Sequence, residues 1–229
     1  MDKVKAFINL ANIFKSHGFK LYLVGGTVRD YILNKPLDDM DLVTDATPEN
    51  IMIFLGDLDT SFKHLGSLKY KDENGIKFDI TTLRKESAYL DYRHPSKITF
   101  VKDLKIDYLR RDFTINALYM DETLKIIDYT NGVNDLKNHL LRMIGDPYLR
   151  TKEDPLRILR ALRFAITFDL KIEDSLFKAM KENFHLLKGL TDAKIKSELS
   201  KIKENEIDKE YKDYLFQQFD IANLQGVIK

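Results

Sequence analysis

The sequence lacks cysteine altogether and has five scattered histidines, His17, His64, His94, His139 and His185. This removes disulfide frameworks, thiolate nucleophiles, iron–sulfur clusters and Cys-ligated zinc, so any metal is expected to sit mainly on oxygen. An excess of one charge is also missing, because 37 Lys and Arg oppose 36 Asp and Glu for a net charge of +1. No global positive field announces nucleic acid, although a local basic groove stays open. No apolar run approaches the roughly 20 residues of a membrane span. The opening residues place Val4, Phe7, Ile8, Ala11 and Phe14 on one helical face and show neither a secretory core nor a small-residue cleavage site. The expectation is a cytoplasmic protein without membrane contact. The Walker pattern, internal repeats and low-complexity linkers are absent as well.

What remains is a chain of 229 residues, 44% hydrophobic and 32% charged, long enough for one large domain or a compact pair. Gly18 suits the end of the first helix, and 19–24 alternates as a strand running into Gly25-Gly26. A short helix is expected over 27–33, a strand over 39–43, and a helix opening at Thr47-Pro48. Residues 61–84 read as a hairpin about Asp72-Glu73-Asn74-Gly75. Residues 85–103 read as a polar mobile loop, 104–119 as helix, 123–128 and 139–144 as short strands, and the chain from about 152 as helical. With a break near Asp146-Pro147, the pattern is an α+β head followed by a helical neck.

GGTVRDYIL followed by DDMDLVT carries the most chemistry. On an extended strand, residues two apart share a face, so Asp39 and Asp41 project side by side. Adjacent carboxylates repel unless a cation or proton intervenes, and Mg²⁺ suits them because it takes one or two carboxylates together with substrate phosphates. Gly25-Gly26 lets backbone amides approach a phosphate closely.

GGTVRDYIL…DMDLVTDATPE, then RRDFTINALYMD, then EDPLRILRALRF occur in that order. Together they resemble the successive motifs of the class II tRNA nucleotidyltransferase and bacterial poly(A) polymerase family, within the DNA polymerase β-like superfamily. The resemblance runs from about residue 20 to about residue 200. It implies a nucleotidyltransferase head with a mixed sheet, 1–146, and a helical neck with a base-reading helix, 147–229. Asp39 and Asp41 would then bind catalytic metal, with Asp79 of KFDITTLR as third carboxylate. Gly25, Gly26, Arg29 and Asp30 would form the phosphate-side wall, Arg29 having a structural salt bridge as its other reading. Arg111, Asp112 and Asn116 would recognise the ribose, with Asp112 and Asn116 one helical turn apart.

The family's base-reading motif falls on Glu153, Asp154 and Arg157. Cytosine and adenine both place an amino donor beside a ring-nitrogen acceptor, which an Asp154 acceptor and an Arg157 donor would match. Guanine and uracil present the reverse, and an unpaired buried polar group costs about 1–3 kcal/mol. Glu153 is expected to brace Arg157 or a neighbour. Arg160 and Arg163 follow on the same helix and either reach the triphosphate or form surface ion pairs.

The segment GSLKYKDENGIKFDITTLR follows the tRNA-enzyme pattern and lacks the Gly-Arg-Arg-Phe-type stretch associated with bacterial poly(A) polymerases. The run from Tyr89 to Pro95 resembles the flexible loop needed for terminal A addition, with His94 where Arg is usual. The resemblance therefore implies addition of CCA to tRNA from CTP and ATP. An A-adding or poly(A)-type enzyme and a non-catalytic RNA-binding remnant are the alternatives. Family members continue into helical body and tail domains, so here these are expected to be missing or much reduced. Oligomeric state stays open.

Overall fold

In the computed structural model the described residues are 3–89, 95–202 and 208–221. They fall into two compact units, 3–88 with 95–133, and 134–202 with 208–221 and Tyr89. This division follows Val133, ahead of the Asp146-Pro147 break.

The first unit begins with α1 (Lys3–Ser16), which buries Ala6, Phe7, Leu10, Ala11 and Phe14 at the 3–4 residue spacing of one helical face. Phe19 N donating to Phe14 O, with Gly18 at φ 80°, ends it in a Schellman turn. There follow β1 (Leu21–Val24), α2 (Gly26–Ile32), β2 (Met40–Thr44) and α3 (Pro48–Phe54). At the start of α3, Thr47 and Asn50 form a reciprocal capping box, with Pro48 in the first turn. Then come β3 (Leu58–Asp59), β4 (Ser67–Lys71) and β5 (Lys77–Thr82). The β4–β5 hairpin turns where the sequence places it, Asp72 Oδ1 accepting from Asn74 N and Ile76 N.

Two expectations need correction. Where a loop was expected over 85–103, β6 (Arg84–Tyr89) and β7 (Pro95–Phe100) form a two-stranded sheet. Its charged residues defeat a hydrophobic-periodicity reading, since only apolar alternation announces a strand. The loop residues 90–94 themselves lie outside the described residues. Where helix was expected over 104–119, α4 (Leu104–Asp107) makes a single turn, two short 3₁₀ turns follow, and β8 (Leu118–Met120) leads to β9 (Ile126–Asp128). Asp103 caps α4, and extended backbone at Arg111 and Phe113 breaks the run.

Seven strands form one mixed sheet in the order β3-β4-β5-β2-β1-β8-β9, in which only β2 and β5 pair in parallel. One face, including Leu21, Leu23, Met40, Leu42, Phe78 and Ile80, packs with α1, α2 and α3 into the main core. The alternate residues Tyr22, Val24, Val43, Tyr119 and Ile127 form a smaller cluster on the other face. Asp41 and Asp79 share the strand parity of that second face, so the period of two places them there, half-buried.

The helix α5 (Gly132–Lys137) spans the division between the units. The second unit contains β10 (Leu140–Leu141), α6 (Pro147–Glu153), α7 (Leu156–Phe168), β11 (Lys171–Ile172), α8 (Asp174–Asn183), α9 (Asp192–Leu199) and α10 (Lys209–Gln218). Asp146 caps α6 by accepting from Leu149 N, with Pro147 at its first position. Asn183 Nδ2 donates to Tyr148 O and Thr151 Oγ1, both at 2.8 Å, and so ties α8 to α6. Among the described residues no helix is long and apolar enough to cross a membrane.

Gly132 packs against backbone: a Cβ there would lie 2.2 Å from Thr114 O. No side-chain adjustment relieves that overlap. Gly132→Ala is therefore expected to destabilise the protein by about 1–3 kcal/mol in urea unfolding; an unchanged midpoint would show that the backbone yields instead.

Candidate active site

Three aspartates lie near one another at the centre of the sheet. Parallel pairing sets Asp41 of β2 directly beside Asp79 of β5, and Asp39 stands at the entry to β2. Thr27 of α2 fixes that entry: its hydroxyl donates to Asp39 O at 3.1 Å and accepts from Asp41 N at 3.0 Å. Burial, then Asp79, then Asp39 push the Asp41 carboxyl up to about 6, against the opposing influence of Arg111 and Arg29. On β4, Lys69 Nζ lies 3.7 Å from Asp79 Oδ1, an exposed and weak compensation.

Gly25 joins β1 to α2 with φ 65° and ψ −124°, a backbone conformation that a side chain disfavours. A Cβ at Gly25 would lie 3.5 Å from Asn116 O and 3.7 Å from Arg111 Nη1. The turn is therefore walled by the Arg111–Asn116 segment. Arg29 is buried, donating from Nε and Nη2 to Asp30 Oδ1 and from Nη1 to Asn116 Oδ1 at 2.7 Å. Of its two expected readings, the geometry displays the salt bridge. Asn116 Nδ2 reaches Asp112 Oδ1 at 3.5 Å. The expected neighbours meet, but extended backbone at Arg111 followed by a 3₁₀ turn over Thr114–Asn116 brings them together, not a helical face.

Arg111 leans on Asp107. Arg111 Nη2 donates to Asp107 Oδ2 at 2.8 Å, Tyr119 Oη donates to the same oxygen at 2.9 Å, and Arg110 Nε donates to Asp107 Oδ1 at 2.9 Å. Burial opposes the Asp107 charge, but Arg111 and Arg110 outweigh it and hold the carboxyl well below the usual range. Burial likewise opposes the Arg111 charge, and Asp107 outweighs it, so Arg111 stays protonated.

In the second unit Asp154 lies between α6 and α7 in extended backbone, its Oδ1 accepting from Leu156 N at 3.0 Å. Asp154 thus stands between the helices, bonded to the first amide of α7, where a helical position was expected. Glu153 Oε2 accepts from Arg150 Nη1 at 2.9 Å and Arg157 Nη1 at 3.2 Å, and Arg157 Nη1 also donates to Arg150 O. Arg157 is buried and braced by Glu153 as expected. Arg163 Nε donates to buried Glu198 Oε1 at 2.5 Å, and Arg163 and Arg160 lie over the Phe164 ring at 4.0 and 5.3 Å. Arg163 thus forms an ion pair, but a largely buried one where a surface pair was the expected alternative.

Thr27, Asp107 and Glu198 escaped the sequence reading. Thr27 lies inside GGTVRD, where a β-branched hydroxyl beside two glycines is a usable signal. Asp107 stands three and four residues before Arg110 and Arg111, the spacing of helical ion pairs. Glu198 gives no local signal, because its partner is 35 residues away.

No group of three or more Asp, Glu or His among the described residues forms a ready metal cage. Asp39 and Asp41 nevertheless fit a hard cation of the Mg²⁺ type, which draws its remaining ligands from water and phosphate. Burial, followed by the neighbouring Asp79 and Asp39, raises the Asp41 carboxyl, an effect that a cation bound there would offset.

The mixed sheet, with Asp41 beside Asp79 and the Gly25-Gly26 turn at the end of β1, matches the nucleotidyltransferase head that the motif order implies. Residues 21–142 match the Poly A polymerase head domain family. The chain belongs to that family, the class II tRNA nucleotidyltransferase and bacterial poly(A) polymerase family. It is 43% identical over 202 residues to the CCA-adding enzyme of Ligilactobacillus salivarius, covering 88% of this chain and 50% of that protein. Among solved structures, the Bacillus stearothermophilus CCA-adding enzyme in complex with CTP matches with a TM-score of 0.80 at 30% identity, covering 88% of this chain and 49% of that one. The Thermotoga maritima CCA-adding enzyme complexed with tRNA matches with a TM-score of 0.75 at 29% identity, over 95% and 50% of the respective chains. The chain spans about half the length of the curated relatives it matches.

The Asp41 charge sets a pH signature for the metal-free protein. Its carboxyl titrates near 6 when folded against 3.8 as reference, so its favourable contribution is complete below pH 4 and lost as pH rises through 6. Asp41→Asn is expected to stabilise the metal-free protein by about 1–3 kcal/mol at pH 7.5 relative to the unsubstituted chain. The difference should vanish below pH 4 in urea titrations; a pH-independent difference would contradict the charge assignment.

Proposed function

We propose that this chain catalyses addition of C, C and A to the 3′ end of tRNA from CTP and ATP, releasing pyrophosphate. The observation that carries the reading is Asp41 paired in register with Asp79, two residues from Asp39, beside the Gly25 turn and Arg111. Membership of the family and the names of its relatives support the choice of substrates.

Asp39 and Asp41 would hold divalent metal, taken to be Mg²⁺. When bound, that metal would lower the pKa of the RNA 3′-hydroxyl and neutralise charge on the triphosphate. Asp79 would orient the hydroxyl and accept its proton as the oxygen attacks the α-phosphate in line. Gly25 and Gly26 would let backbone approach the phosphates, while Arg29 and Asp30 brace the segment that carries them. Arg111 would meet triphosphate charge, and Asp112 with Asn116 would hold the ribose hydroxyls.

In the second unit Asp154 would accept the amino group of cytosine or adenine and Arg157 would donate to its ring nitrogen. Glu153 and the Arg150 carbonyl hold Arg157 for that task. Arg163, held by Glu198, and Arg160 would add positive potential along α7. Residues 1–146 would act as head and 147–229 as neck, in a cytoplasmic enzyme.

A tRNA lacking CCA, supplied with CTP, ATP or both, tests the reading. Three residues should appear only with both nucleotides. Growth on ATP alone would favour the A-adding or poly(A)-type alternative, and RNA binding without pyrophosphate release the non-catalytic one. Asp39→Ala together with Asp41→Ala should lower incorporation by about a thousandfold or more, since the metal supplies several kcal/mol to the transition state; intact incorporation would remove the metal assignment. Arg157→Met should shrink discrimination against GTP and UTP by about 10- to 100-fold, the equivalent of one mismatched buried polar pair. Unchanged selection would remove the base-reading role.

A further inference from the structure

Asp107 belongs to none of the sequence motifs, has no solvent exposure, and carries a charge. Isolating an ionised carboxylate from water costs several kcal/mol unless its oxygens are fully engaged. Here Oδ1 accepts from Arg84 N at 3.2 Å and Arg110 Nε at 2.9 Å, while Oδ2 accepts from Arg111 Nε, Arg111 Nη2 and Tyr119 Oη at 3.1, 2.8 and 2.9 Å. Arg111 Nε also donates to Tyr119 Oη, and the Arg111 guanidinium lies 5.2 Å from the centroid of that buried ring. Apolar packing often matches the stability of a buried ion cluster, so the distinctive consequence of this arrangement is orientation.

The orientation is specific. With the Nε–Nη2 edge of Arg111 committed to Asp107, the opposite nitrogen, Nη1, is the one near the Gly25 turn. Tyr119 also sits in register with Val24, the residue before that turn, so one hydrogen-bonded unit ties both the arginine and the strand leading to Gly25. We propose that Asp107 is a positioning residue that acts through Arg111, fixing its guanidinium with Nη1 toward the phosphate-binding turn. A flexible arginine would otherwise spend binding energy on its own ordering, and fixing it beforehand removes that cost. The inference rests on the nucleotide-site reading above.

The test uses the full chain and CTP with Mg²⁺, without RNA so that no turnover occurs. Binding is measured by calorimetry, and each variant's melting temperature is recorded. Arg111→Gln and Asp107→Asn are each expected to raise the Kd for CTP by about 10- to 100-fold, the scale of a misplaced binding group. The double variant should bind no more weakly than Arg111→Gln alone, because removing a positioner has no effect once its client is gone. A purely structural role for Asp107 predicts additive losses or a melting shift with unchanged affinity. If Asp107→Asn does not fold, Tyr119→Phe keeps the ring and removes the bridging hydroxyl; it should weaken CTP binding severalfold, and only while Arg111 is present. Wild-type affinity in the folded Asp107 or Tyr119 variant, or full additivity with Arg111→Gln, overturns the proposal alone. Wild-type affinity in Arg111→Gln itself overturns the nucleotide-site reading and the proposal with it.

Discussion

The parallel pairing of β2 with β5 sets two aspartates side by side in register, and much of the first unit can be understood as a response. Antiparallel neighbours would be joined by a simple turn, whereas a parallel pair needs a crossover, here built from α3, β3 and β4. That topology places Asp41 and Asp79 on the sheet face opposite the main core, where Asp39 adds a third charge. Among the described residues their compensation is partial: Lys69 is exposed at 3.7 Å from Asp79, and Arg111 and Arg29 are largely committed to other acids. A site whose own residues leave negative charge partly uncompensated is suited to a cation that arrives with a polyphosphate.

Around this charge the positioning groups are rigid and mostly buried. Thr27 stitches Asp39 to Asp41 through one hydroxyl, Asn116 anchors Arg29, and Asp107 clamps Arg111. The same economy recurs in the second unit, where Glu153 holds Arg150 and Arg157 and Glu198 holds Arg163 and Lys201. Arginines serve these places because a guanidinium can give one edge to a structural carboxylate and turn another toward a ligand, which a lysine ammonium cannot do with comparable directionality.

Legibility in the sequence followed the range of the physical signal. The α1 stripe, the Thr47-Pro48 helix start and the Asp72–Gly75 turn were readable because each rests on neighbours within a few residues. The mixed-sheet head was legible through motif order. Residues 104–119 misled because charges and aromatics at helical spacing there serve a buried ion cluster, and the backbone turns extended to build it. The Asp112–Asn116 juxtaposition was reached by the wrong route for the same reason. The β6–β7 pair was missed because strands rich in charge lack apolar alternation, and Glu198 was missed because its partner is distant in sequence.

The central claim is that Asp39 and Asp41 hold divalent metal against a nucleotide triphosphate. Crystals grown with Mn²⁺ and a non-hydrolysable CTP analogue, with data collected at the manganese edge, address it directly. The account predicts an anomalous peak within about 2.5 Å of carboxylate oxygens from both residues and bridged to the phosphates. A bound nucleotide whose triphosphate and metal lie away from both carboxylates would contradict it.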